Sequence, residues 1–297
     1  SGSTYVAWNW DMGGGGAGLP HTISVVGNAQ HSTTQNKIGA SSIAFDGTGD
    51  RLNIPASDLM ESVDGTIECW IYMNALVSGS AVHYNPPIYH KGDVYQSLNI
   101  NSSGTVTSYV YTGSPNSLTS SINLSTGAWN HVAVTWNSGG RKLWINGTER
   151  GSTTVSITAM HSGGDNTEFY IGEGSSSSVV SLNAYVDELR VSNKVRYTST
   201  FTPSTTAFIS DGNTELLVHS DTSNGSTTFT DSAAATKNTT GSITSYVKAN
   251  TTYGQSIVSY TGTGANATIG HGLSGAPEMI IVKTSSHTSD WPVYHSG

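Results

Sequence analysis

From about residue 22 to residue 210, apolar and polar positions alternate in short runs, each ending in a cluster of Gly, Asn, Ser or Asp. Such period-two alternation is the mark of strands with one face buried. It predicts strands at Ser42–Asp46, Arg51–Ile54, Thr66–Met73, Tyr95–Ile100, Val106–Tyr111, His131–Asn137, Lys142–Ile145, Glu168–Gly172 and Ala184–Val191. The intervening Asp46–Gly49, Asn137–Gly140, Asn146-Gly147 and Gly172–Gly174 supply the positive φ angles that tight turns need. Many short strands with no helical period predict an all-β sandwich or jelly roll.

Phase assigns faces. In Thr66–Met73, Ile67, Cys69, Ile71 and Met73 share one side, so Cys69 is expected as a small buried apolar residue. In Tyr185–Val191, unbroken alternation puts Asp187 on the core side with Leu189 and Val191. A carboxylate there needs hydrogen bonds, a counter-charge or a metal ion. The stretch Val82–Gln96 breaks the alternation and reads as a long loop rich in rings: Tyr84, Tyr89, His90 and Tyr95 are the candidate ligand-binding residues.

Composition supports the all-β reading: 34 Gly, only 11% charged residues, and few strong helix formers among the 297 residues. The net charge of −8 argues against a nucleic-acid partner, and no apolar run is long enough for a membrane span. Cys69 is the sole cysteine, which excludes an intrachain disulfide. The Asn-x-Ser/Thr sequons are what a chain rich in these residues produces by chance.

Five segments, in order, resemble the laminin-G-like (concanavalin A-like) jelly-roll family. They are Phe45-Asp46-Gly47 with Asp50–Pro55, Thr66–Ile71, Trp129–Trp136 with Leu143–Gly147, Phe169–Gly172, and Val186–Val191. The resemblance covers roughly two thirds of the chain and implies a sandwich that binds ligands rather than transforming them. An opening strand of the family's type stands near the end instead, at Glu215–Asp231, which implies either a permuted domain or the start of a second copy.

The chain ends carry a second resemblance. Tyr5–Asp11 and Gly241–Asn250 are similar to adjacent pieces of a repeat in tail and fibre proteins of marine bacteriophages, continued by Ser256–Gly264, Ile269–Pro277, Met279–Lys283 and Asp290–His295. The expected organisation is residues 1–16 as a strand and linker of a small β module, 17–236 as the jelly roll, and 237–297 as the rest of that module. The jelly roll is inserted into it, with Gly13–Gly16 and Ala233–Thr240 as linkers. The last module is expected to be incomplete, as part of a longer polypeptide.

The motifs of enzymes are missing. No Glu-x-Asp-x-x-Glu run supplies a glycosidase carboxylate pair, Gly13–Gly16 lacks the Gly-Lys-Ser/Thr of a phosphate loop, and no Gly-x-Ser-x-Gly elbow occurs. Scattered histidines without cysteine partners do not form a zinc pattern. Calcium is the one cofactor to weigh: Asp46, Asp50 and Asp187 would supply hard oxygen ligands if their strands are adjacent. The alternative is that each carboxylate caps a turn. Trp70, Tyr72, Trp144 and Tyr170 lie opposite apolar partners and face solvent, a second sheet or another subunit.

The expected role is a non-enzymatic virion-surface or tail-fibre component that binds host glycan, acting as a homo-oligomer with other virion chains. A purely structural or assembly role is the alternative. A polysaccharide depolymerase is disfavoured by the absent carboxylate pair. Fold alone does not choose among these.

Overall fold

The computed structural model describes residues 4–7, 21–55, 59–60, 62–92, 96–111, 113–157, 168–174, 179–211, 213–233, 236–238, 240–243, 245–250, 254–284 and 290–296. Two compact units are present, one formed by residues 21–232 and the other by residues 1–20 with 233–297. The expected Gly13–Gly16 linker lies outside the described residues.

The larger unit is a sandwich of a seven-stranded and an eight-stranded antiparallel sheet. The eight-stranded sheet carries Trp129–Asn137, Gly65–Met73 and Asn183–Ser192 side by side at its centre. Ile67, Cys69, Ile71 and Met73 face the core, joined by Val132, Val134 and Trp136 from one neighbour and Ala184, Val186, Leu189 and Val191 from the other. Burial of these side chains against the opposite sheet is the main driving force for the sandwich. Cys69 is a core residue, and burial raises its thiol pKa far above the ordinary value.

One expected face is wrong. Asp187 pairs with Trp70 but Arg190 pairs with Glu68, so Asn183–Ser192 advances three residues where its partner advances two. The extra residue is a β-bulge at Glu188, whose φ is +53°. Leu189 and Val191 therefore keep their core positions while Asp187 points to the outer face of the sheet, opposite to the side that unbroken alternation assigns.

At the same point the strand changes partner along one edge. Asn183–Val186 pairs with Ser42–Asp46, and Leu189–Ser192 pairs with Thr214–Val218. The late Glu215 segment therefore completes this jelly roll. The tail beyond it returns to the domain's first residues, with Asp231 accepting from His21 at 2.7 Å.

Strands at Pro87–Lys91, Pro115–Asn123 and Thr148–Thr153 were not among those expected. Pro115–Asn123 is an edge strand of the seven-stranded sheet and buries little beyond Leu118 and Ser120, so its hydrophobic signal is weak. Pro87 sits at the first position of its strand, where its missing N–H is tolerated.

The smaller unit is a six-stranded sheet in which Thr4–Ala7 lies between Gln255–Thr261 and Met279–Thr284.

Candidate functional site

On the outer face of the eight-stranded sheet, residues 193–210 form a strap across part of the surface. Thr66 Oγ1 donates to the Lys194 carbonyl at 2.7 Å, Phe201 N–H to the Gly147 carbonyl at 2.9 Å, and Trp70 Nε1–H to the Ser204 carbonyl at 3.2 Å. Phe208 N–H donates to Glu188 Oε2 at 2.6 Å, so the bulge aims a carboxylate at the strap. Trp70 and Trp144 are buried here by the chain's own strap rather than by a second sheet or another subunit.

Beneath the strap lies a buried ionic cluster. Glu68 Oε1 accepts from Arg190 Nε at 3.0 Å and Nη2 at 2.6 Å, while Oε2 accepts from Tyr197 at 2.6 Å and His131 Nε2 at 3.1 Å. Trp70, Phe201 and Phe208 ring His131 at centroid distances of 5.4, 5.7 and 6.3 Å. The cluster holds an acid, a base and a phenol, yet Glu68 and His131 are wholly enclosed, so it secures the strap rather than meeting a ligand.

At Gly147 the strap lies directly against the sheet backbone. With Asn146 at φ +51° and Gly147 at +76°, the pair forms a tight hairpin turn. A Cβ on Gly147 would lie 1.8 Å from the Phe201 carbonyl oxygen. Gly147→Ala is therefore expected to cost more than the about 1–2 kcal/mol of a left-handed non-glycine residue, because the strap must also shift. Urea denaturation would measure the difference.

Beyond the strap, the outer face carries rings that the described residues leave half-exposed. There the register aligns Trp129 with Tyr72 and Tyr72 with Tyr185, one outward ring from each of three adjacent strands. All three are half-buried. Tyr72 and Trp129 have centroids 5.6 Å apart with planes at 59°, and Tyr72 and Tyr185 are 6.1 Å apart at 71°. Outward Asn183 follows Tyr185, with its side chain against the Asp46–Asp50 turn, and exposed Asn74 follows Tyr72. Aromatic floors with polar rims of this kind suit ligands that are apolar on one face and hydroxylated at the edge.

The expected site residues fall elsewhere. Tyr89 is a core side chain in the Pro87–Lys91 strand, stacked on Phe169 at 5.5 Å, and burial raises its pKa. His90 is buried on that strand with its ring 6.5 Å from Tyr170. Only Tyr84, in the short 3-10 turn Val82–Tyr84, is half-buried, packed on His83 at 4.1 Å. Tyr95 lies outside the described residues. The expected loop thus contains a strand, Pro87–Lys91, in which Ile88 and Tyr89 both enter the core beside a register shift.

Asp46, Asp50 and Asp187 do not converge. Asp46 pairs with Asn183, four positions along the strand from Asp187 and so about 13 Å away at strand rise. Asp50 accepts the N–H groups of Asn28 at 2.7 Å and Asp46 at 3.0 Å. Asp46 accepts from Thr48 N–H at 2.8 Å and Asn28 Nδ2 at 3.1 Å. Asp187 Oδ2 accepts the N–H groups of Lys37 and Ile38, both at 2.9 Å. These donors do not fit a three-carboxylate calcium site, and no group of three or more metal-binding side chains gathers among the described residues.

Residues 46–200 match the family model of the concanavalin A-like lectin/glucanases superfamily. The chain belongs to that superfamily. Residues 191–297 match a domain family of unknown function, DUF7483. No curated protein sequence matches the chain. Among solved structures it is similar to domain 4 of an extracellular arabinanase from Geobacillus stearothermophilus in complex with arabinotriose, at 18% identity and TM-score 0.46. That match covers 58% of this chain and 81% of the other. Similarity to the binding domain of botulinum neurotoxin serotype C1 is 17% identity at TM-score 0.43, covering 60% and 45%. For tailspike protein 2 of an Escherichia coli O157:H7 bacteriophage the values are 14% and 0.44, covering 60% and 26%.

Within this superfamily member, the half-exposed aromatic row is the candidate site, and sequence reasoning missed it as a unit. Tyr72, Trp129 and Tyr185 are the last outward aromatics at one end of three strands, a signal visible only once the strand register is known.

Proposed function

We propose that this chain is a non-enzymatic virion-surface or tail-fibre component whose jelly roll adheres to a host-surface glycan. The observation that carries the binding role is the row Trp129–Tyr72–Tyr185, three contiguous rings that the described residues leave half-exposed beside a strap that covers Trp70 and Trp144 of the same face. The virion setting is supported by the resemblance of the chain ends to repeats of phage tail and fibre proteins. A binding role is favoured over hydrolysis because Glu68 and Glu188 are buried and occupied by Arg190, His131, Tyr197, His219 and the Phe208 N–H. Homo-oligomerisation would multiply weak contacts to a sparse surface ligand.

The test is saturable binding of the folded protein to extracted host polysaccharide. Trp129→Ala and Tyr72→Ala are each expected to weaken it at least about tenfold, roughly 1.4 kcal/mol, with thermal stability nearly unchanged. Binding is expected to survive a calcium chelator, since the three aspartates do not share a site. No binding by folded wild-type protein would sink the adhesive role.

An assembly role is favoured by a different observation. In the smaller unit Met279, Ile280, Trp291, Val293 and Tyr294 are all exposed, around a hairpin at the sheet's edge. Sedimentation of the Val293→Lys variant against wild type would read this directly, since a role in self-assembly requires the variant to dissociate.

A further inference from the structure

If the aromatic row is adhesive, as proposed above, its shape specifies how a glycan meets it, and the inference rests on that role. Planes tilted at 59° and 71° prevent two neighbouring rings from lying flat against the same extended chain. An extended polymer needs successive platforms in nearly one plane. Tilted rings make a corner instead, in which one ring takes a sugar's apolar face while the next meets its edge.

The surroundings close the corner on one side. The next outward row towards the strap is His131, Trp70 and Asp187, all buried, with Lys37 Nζ lying 4.3 Å from the Trp70 ring centroid. On the other side stand Asn183 and Asn74, and the Asp46 carboxylate sits on the strand that pairs beside Asn183. This rim offers amide donors and acceptors with one exposed carboxylate. A carboxylate accepts hydroxyl protons well and repels anionic sugars, in keeping with the chain's net charge of −8.

We infer that the row reads a single pyranose at the end of a neutral glycan chain, stacked in the Trp129–Tyr72–Tyr185 corner with its hydroxyls towards Asn74, Asn183 and Asp46. It does not run along an extended polymer, and it excludes acidic sugars.

The Trp129 indole N–H is the reporter, assigned in an NMR spectrum of the full chain by its loss in Trp129→Phe. The probes are methyl pyranosides of glucose, galactose, mannose and N-acetylglucosamine, linear oligosaccharides of two and six residues of the best of these, and glucuronic acid. One neutral methyl pyranoside is expected to shift the Trp129 signal saturably. Its dissociation constant should change less than about threefold on lengthening to six residues, glucuronic acid should leave the signal in place, and Asn74→Ala should weaken binding without moving the melting temperature. Tightening by tenfold or more with length would overturn the chain-end reading, and so would binding of glucuronic acid. A Trp129 signal that ignores every neutral pyranoside, in a protein that still binds host polysaccharide, would overturn this site while leaving adhesion standing. Loss of both would overturn the adhesive role itself.

Discussion

Replacing Glu68 by alanine is expected to destabilise the jelly roll by about 3–5 kcal/mol, the usual cost of removing one partner from a buried ion pair. The carboxylate is fully enclosed and serves Arg190, His131 and Tyr197 at once. Burial alone would raise its pKa; His131, Arg190 and Tyr197 overcome that and hold it below the ordinary value. In Glu68→Ala the Arg190 guanidinium keeps its stacking on Phe208, at 4.2 Å, but loses its counter-charge. Tyr197 loses the bond that ties the strap to the sheet, so amide exchange should rise across 197–208. Glu68→Gln separates charge from geometry. Its carbonyl still accepts from Arg190, and its amide can donate to His131 if the ring changes tautomer, so a smaller loss is expected. Chemical denaturation of the three proteins checks the order. Equal stabilities for wild type and Glu68→Ala would mean that the strap does not depend on the cluster.

How much of this was legible in the sequence depends on whether a feature is local. The core face of Gly65–Met73 needs only the alternation of Ile67, Cys69, Ile71 and Met73, and it holds in the structure. The superfamily's motifs lie in such strands, which is why the fold was readable. The direction of Asp187 was not, because a single inserted residue reverses the phase and nothing in Val186–Val191 announces it. The strap was equally hidden: residues 193–210 show no periodicity, so the covering of Trp70 and Trp144 could not be assigned. Tyr84, Tyr89 and His90 were grouped by closeness along the chain, whereas Tyr72, Trp129 and Tyr185 are grouped by register across it. Sequence proximity is a poor guide to a sheet surface, where neighbours come from strands far apart in the chain.

Asp187→Ala is expected to destabilise the fold by about 2–4 kcal/mol in mild acid, and by distinctly less at pH 8. The side chain is buried, and its Oδ2 accepts the Lys37 and Ile38 N–H groups that alanine would leave orphaned. Its Oδ1 has no hydrogen-bond partner among the described residues. Burial raises the carboxyl pKa from 3.8 to about 6; the two N–H bonds oppose this, while Glu188 and Asp221 add to it. A folded-state pKa above the unfolded value means the folded protein holds the proton more tightly. That contribution to stability is therefore complete below the unfolded value of 3.8 and is lost as the pH rises through about 6. The difference of about two units is worth up to about 3 kcal/mol between the two limits. His219, raised by its hydrogen bond to Glu188, acts in the same direction at somewhat higher pH. Glu68 and Asp211, whose pKa values are lowered, act oppositely, and their contributions fail only as the pH drops below the ordinary carboxylate range. Wild-type stability should therefore rise from pH 8 to about pH 5 and fall below about pH 4. In Asp187→Asn, which resembles the protonated acid, the alkaline slope should flatten. Melting temperatures of the three proteins from pH 4 to pH 8 read this out, and an equal effect of Asp187→Ala at both ends of the range would show that Asp187 keeps its charge throughout.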